Sequence, residues 1–154
     1  MTADATKPRI ILDTNTLVSG LLFKGEILRE TVRLAFDHFQ PVFSTPTWDE
    51  LMEVFQCDKF DKSLPRGQRF QIIAEMARRI DMVEPTTAVH DCRDTRDNKF
   101  LSVALDSRSF LIVSGDQDLL VLHPWRGIAI LSPGDFVGSR GSTAPSTQKA
   151  SPEK

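Results

Sequence analysis

The chain has 154 residues, enough for one domain with its own core and short for two. With 40% hydrophobic residues, 26% charged residues and a net charge of −2, it has an ordinary globular composition and no whole-molecule attraction to nucleic acid. No apolar run approaches the ~20 residues of a membrane span. The first residues lack the apolar segment of a secretory signal. Cys57 and Cys92 make no disulfide framework, so the expected location is the cytoplasm.

The apolar run at 9–13 ends abruptly in Asp13 and predicts a buried strand. A helical region follows, interrupted at Gly25; its second half carries Leu28, Val32, Ala35 and Phe39 at helical spacing. Residues 41–45 predict a second strand, with Thr45 as the cap of the next helix and Pro46 at its first position. Trp48, Leu51, Met52 and Phe55 form that helix's apolar face, and 57–66 is a polar loop. A helix over about 66–82 places Phe70, Ile73, Ala77 and Ile80 on one stripe.

The stretch 83–93 is irregular, and Asp94 caps a helix whose core face is Phe100, Leu101, Ala104 and Leu105. Residues 110–114 predict a third strand, 118–122 a short helix or turn, and 127–131 a fourth strand ended by Pro133 and Gly134. Alternating strands and helices indicate an α/β fold with a parallel sheet. The expected organisation is a lead-in over 1–8, a folded unit over 9–138 and a polar, disordered tail over 139–154, which lacks large apolar residues.

In an open parallel sheet, ligands bind beyond the carboxyl ends of the strands. Asp13 closes the first predicted strand, Glu50 lies early in the helix after the second, Asp97 opens the helix before the third, and Asp116 follows the third. Clustered carboxylates repel unless a cation sits among them. An oxygen-only donor set without Cys or His suits Mg²⁺ or Mn²⁺. Such ions activate water and offset charge on a leaving oxygen in phosphodiester hydrolysis.

Four segments carry a family resemblance: 10–15 (IILDTN), 47–51 (TWDEL), 94–101 (DTRDNKFL) and 114–120 (SGDQDLL). Together they resemble the motifs of PIN-domain nucleases, over about 9–137, with Ser114 where Thr is more usual. The resemblance is nearest to bacterial toxins of toxin–antitoxin pairs. It implies a three-layer α/β/α fold with a twisted parallel sheet flanked by helices. It also implies Mg²⁺ or Mn²⁺, cleavage of single-stranded RNA, dimers and a small antitoxin partner. The residues it selects as catalytic and metal-binding are Asp13, Glu50, Asp97 and Asp116.

Each candidate has a plainer reading. Asp13 could cap the next helix, and Asn15 is a supporting residue or a turn former. Asp49 and Glu53 rival Glu50 but read as solvated charges, and Asp94 reads as a cap. Asp118 is a further ligand or a helix cap; Ser114 is a hydrogen-bond donor to a carboxylate or an ordinary strand-end residue. Arg93, Arg96 and Lys99 bind substrate phosphate or form a solvated basic patch. Trp48 and Trp125 could stack on bases, although Trp48 fits the apolar stripe.

Other functions fit less well. His38, His90, Cys92 and His123 lack the paired spacing of a zinc site. A haloacid-dehalogenase-like phosphatase wants a second acid where Asn15 stands. It and a response-regulator receiver both want a late lysine, and none lies between Lys99 and Lys149. A non-catalytic PIN-fold module that binds RNA or protein is the alternative function.

Overall fold

A computed structural model describes residues 7–22 and 24–139. It contains five parallel strands in the order β3-β2-β1-β4-β5 and seven helices among the described residues. The predicted disordered tail lies outside them except for Ser139, as does most of the predicted lead-in.

Strand β1 (Arg9–Leu12) occupies the centre of the sheet. It pairs with β2 (Gln40–Phe43) on one side and β4 (Leu111–Val113) on the other. The two-residue strand β3 (Asp81–Met82) continues the sheet beyond β2, and β5 (Ala129–Leu131) continues it beyond β4.

Alternation along the strands divides the core into two layers. Ile10, Leu12, Leu111 and Val113 face one side; Ile11, Ile112 and Ile130 face the other. The first side is covered by α1 (Thr14–Leu21), α2 (Glu26–His38), α3 (Thr45–Phe55), α4 (Arg66–Ala77) and α7 (Pro133–Gly138). The second is covered by α5 (Asn98–Asp106) and α6 (Gln117–Leu120). This is the expected three-layer α/β/α arrangement. No helix among the described residues is long and apolar enough to cross a membrane.

Helices α1 and α2 pack against each other at Gly20. A Cβ there would lie 2.6 Å from the Leu28 carbonyl oxygen and would also meet the Val32 side chain. Gly20→Ala is therefore expected to destabilise the protein by about 1–3 kcal/mol through overpacking. Urea unfolding would measure this. Gly25 begins α2 with φ of 113°, a conformation that L side chains rarely adopt.

Several local expectations need correction. Strand β2 spans 40–43 rather than 41–45, and the cap of α3 is Ser44 rather than Thr45. The Ser44 hydroxyl accepts from the Thr47 amide at 3.3 Å, while the Ser44 amide donates to the Thr47 hydroxyl at 2.9 Å. That reciprocal pair makes Thr45 and Pro46 the first helical residues.

The helix expected over 66–82 ends at Ala77, and the chain then forms β3. Its inner face carries Arg69 and Met76, whereas Phe70 is 73% exposed. The buried Arg69 guanidinium donates to the carbonyl oxygens of Phe55 (2.8 Å) and Cys57 (3.1 Å) and pairs with Asp61. These charge-assisted bonds satisfy carbonyls near the end of α3 and set the rotation of α4. After β5, Pro133 and Gly134 do end the strand, but they also open α7.

Candidate active site

The chain runs from β1 outward to β3, then crosses back to β4 and β5. The carboxyl ends of β1 and β4 therefore form the topological switch point, where a crevice opens. Asp13 follows β1, and Ser114 and Asp116 follow β4. A 300 Å³ cleft here is lined by Asp13, Asn15, Ser19, Leu28, Asp116 and Pro133, among others.

Asp13 is 6% exposed. It caps α1: one carboxylate oxygen accepts from the Thr16 amide at 2.9 Å. The other accepts from the Ser114 hydroxyl, and that hydroxyl in turn accepts from the Asp116 amide at 2.9 Å. Burial pushes the Asp13 carboxyl above its ordinary value; the Ser114 and Thr16 hydrogen bonds oppose that push, and the Asp116 charge adds to it. Asp13 thus caps α1 while its carboxylate lines the cleft.

Ser114 is fully buried and links the ends of β1 and β4. Ser114→Ala would leave a buried Asp13 oxygen without its donor. The expected result is a roughly 10–100-fold loss of cation affinity or of the activity proposed below, the usual effect of removing an orienting partner. Cation titration of the folded variant is the check; unchanged affinity would limit Ser114 to a structural link.

Asp97 and Asp94 lie in a 3-10 turn and its cap ahead of α5 (Thr95–Asp97 is the turn). One oxygen from each of Asp94, Asp97 and Asp116 lies within 4.8 Å of the others. Asp97 is pushed up to about 7, first by burial, then by the adjacent Asp116 carboxylate and by Asp94, with Lys99 opposing. Its Oδ2 is buried and has no hydrogen-bond partner. A carboxylate with one buried, donorless oxygen, set in a group of acids, is a place for a cation. The donor set is all oxygen, and it fits Mg²⁺ or Mn²⁺.

Glu50, on α3, is half-buried and accepts from the Thr14 hydroxyl at 2.7 Å. Lys99 Nζ lies 3.5 Å from the same carboxylate. The neighbouring Asp49 and Glu53 are exposed. Asp118 is not the cap of α6; that position is taken by Asp116, whose side chain accepts from the Asp118 amide at 2.9 Å.

The three basic candidates ring the acids, each already paired with one. Arg93 holds Asp118 at 3.1 Å, Arg96 grips both Asp94 oxygens at 3.1 and 3.0 Å, and Lys99 meets Glu50. The Asp94 carboxyl is held below its ordinary value by its hydrogen bonds to Arg96. Arg93 and Arg96 are largely exposed, and such ion pairs are weak and exchangeable.

Asp94 is the residue that sequence reasoning left out of the cluster, having assigned it to capping alone. It does cap the turn, accepting from the Arg96 amide at 3.0 Å, and its carboxylate also faces Asp97 and Asp116. Its three-residue spacing from Asp97 was the available signal. Thr14 and Thr16, which orient Glu50 and Asp13, were likewise not singled out.

The tryptophans are engaged in packing. Trp48 meets the Phe43 ring edge-on at 5.3 Å, and Trp125 is buried with its indole N–H on Asp91 at 2.7 Å. His123 accepts from the Ile130 amide at 2.9 Å, and Cys92 is buried beside Asp118, with its Sγ 3.5 Å from that residue's carbonyl oxygen.

An α/β/α domain with a carboxylate group at its switch point is the class defined by this fold and site. Residues 9–118 match the PIN domain family, and the chain belongs to that family. It is 31% identical over 121 residues to the uncharacterized protein MJ1680 of Methanocaldococcus jannaschii, covering 76% of each chain. Its fold is similar to the crystal structure of VapBC2 from Rickettsia felis bound to a DNA fragment from their promoter. That match has a TM-score of 0.55 and 13% identity, over 80% of this chain and 98% of that one. A further structure, of the PIN domain endonuclease Utp24, matches at a TM-score of 0.48 and 19% identity, over 80% of this chain and 84% of that one.

Proposed function

We propose that this PIN-domain chain is a metal-dependent endoribonuclease that hydrolyses phosphodiester bonds of single-stranded RNA. The observation that carries this reading is the buried, donorless Asp97 Oδ2 inside a cluster of carboxylates at the switch point. Asp97, Asp116 and Asp94 would hold Mg²⁺ or Mn²⁺, with Asp13 and Glu50 completing the acidic wall and Asp118 at its margin. When bound, such an ion lowers the pKa of an attacking water and offsets charge on the departing oxygen.

The chain's own residues supply position. Asp13 is fixed by two hydrogen bonds and Glu50 by Thr14, so neither carboxylate must reorganise when substrate arrives. Asn15 lines the same cleft beside Asp13. Arg93, Arg96 and Lys99 can exchange their carboxylate partners for phosphate oxygens and so offset repulsion between the acidic wall and the RNA backbone. A cytoplasmic toxin paired with a small antitoxin, acting as a dimer, is the setting that the motif resemblance favours.

The test is cleavage of a labelled single-stranded RNA pool by purified protein with Mg²⁺ or Mn²⁺, beside reactions containing EDTA or the Asp13→Asn variant. Cleavage lost in both controls is the expected result. RNA binding without cleavage under every metal would instead assign the protein as a non-catalytic PIN-fold binding module.

A further inference from the structure

A second groove, of 290 Å³, lies at the carboxyl ends of β2 and β3, beside the Lys99 that pairs with Glu50. Its lining includes Ser44, Pro46, loop 85–88, Lys99 and Ser102. The acidic cleft opens at the ends of β1 and β4 and this groove at the ends of β2 and β3, so both lie on the carboxyl edge of the sheet.

The groove is built before any ligand arrives. Glu84 accepts from the Thr45 amide at 3.1 and 3.0 Å and from the Thr45 hydroxyl at 2.6 Å. Asp106 accepts from the Thr86 amide at 2.6 Å, the Thr87 amide at 2.9 Å and the Thr87 hydroxyl at 2.8 Å. These hydrogen bonds pin loop 85–88 from both sides. Burial of the loop amides' partners is not needed for this, because each anchor is charge-assisted.

Lys99 connects the groove to Glu50. Its Nζ stands 3.5 Å from Glu50 while the residue lines the groove. The Ser102 hydroxyl has no hydrogen-bond partner among the described residues, and Pro46 and Pro85 add apolar surface. One cation, a free hydroxyl and flat apolar faces in a space near the ~300 Å³ lower bound of ligand pockets match one nucleotide.

We propose that this groove is a nucleotide subsite: it takes the nucleotide adjacent to the cleaved bond of a single-stranded RNA, with that nucleotide's phosphate on Lys99. This rests on the nuclease reading above and adds the path of the substrate, along the sheet edge from β5 towards β3. A base seated against Pro46 and Pro85 must be unstacked from its neighbours, which favours single strands over duplex.

The test is steady-state cleavage of one defined single-stranded RNA at several salt concentrations. Ala88→Glu places an anion at an exposed groove position, Ser102→Trp fills the groove, and Lys99→Gln removes its cation. Gln71→Glu on the exposed face of α4 controls for net charge. Ala88→Glu and Ser102→Trp are expected to raise KM by about tenfold with kcat little changed, the pattern of lost substrate binding, whereas Lys99→Gln, which also removes the cation beside Glu50 and Asp97, is expected to raise KM and to lower kcat. Lys99→Gln should also lower the salt slope by about 0.7, one phosphate contact on a single strand.

Ala88→Glu alters only an exposed loop residue, so its result stands even if Ser102→Trp fails to fold. Wild-type cleavage with KM and salt slope unchanged in all three variants would overturn the subsite and leave the nuclease reading standing. If the wild type binds RNA without cutting it, the same variants read by Kd still decide the subsite: a tenfold loss supports it, and no loss overturns it. Absence of RNA binding would overturn both.

Discussion

Asp97→Asn is expected to lower RNA cleavage by about 10²–10³-fold, the effect of removing one preorganised electrostatic group. The same substitution is expected to make the metal-free protein more stable. The Asp97 carboxyl is displaced well above its ordinary value, to about 7, by burial and by the nearby Asp116 and Asp94. An amide of the same shape carries no charge to repel those neighbours, and its N–H₂ can donate to them. Relief of about 1 kcal/mol would raise Tm by about 2–4 °C in a protein of this size. The pair of measurements is single-turnover cleavage with Mn²⁺ and thermal unfolding in EDTA. Lower activity with unchanged or lower metal-free stability would mean that the acids are not crowded in solution.

The second large effect concerns pH. Metal-depleted protein is expected to lose stability as pH rises from about 4 to about 7, and millimolar Mg²⁺ or Mn²⁺ to restore it. Between the ordinary value of 3.8 and about 7, folded Asp97 keeps a proton that the unfolded chain has already released. The folded state then binds more protons than the unfolded state, so stability falls with rising pH. Asp13 is displaced in the same direction by its burial and adds to the slope.

The carboxyls of Asp91, Asp94 and Asp106 are displaced downward, chiefly by hydrogen bonds from Trp125, Arg96 and Thr87 respectively. Their stabilisation is lost as pH falls through the acid range and is complete above the ordinary carboxylate value, so it does not mask the decline above pH 4. A cation favours the ionised acids and adds binding energy to the folded state alone. Urea unfolding at pH 4, 5.5 and 7, with EDTA or with Mn²⁺, gives the answer. A flat metal-free profile with no cation effect would show that the carboxylates do not form a site in the free protein.

The two corrected helices show where local reading stops. Phe70, Ile73, Ala77 and Ile80 make a plausible stripe at helical spacing, yet α4 turns Phe70 outward. Periodicity reports which residues could be buried together; it does not report that Arg69 is needed inward by carbonyls at the end of α3. Thr45 was a reasonable cap by composition, but Ser44 and Thr47 cap each other, a choice made by backbone geometry at the strand end.

The sequence by itself determined the α/β class, the apolar central strands and the placement of Asp13 directly after β1 and of Asp116 soon after β4. These follow from nearest-neighbour pattern: short apolar runs ending in acids are local, and burial on both faces of a parallel sheet demands them. Tertiary structure alone decided the fifth strand, because Asp81 and Met82 are too few to show a period and pair only because β2 offers an edge. It also brought Asp94 and Asp97 to Asp116, left the Asp97 Oδ2 without a donor, and paired Arg93 and Lys99 with acids from other segments. Proximity of charges from different segments depends on how the loops after β1, before α5 and after β4 meet across the sheet edge, and no spacing along one chain segment encodes that meeting.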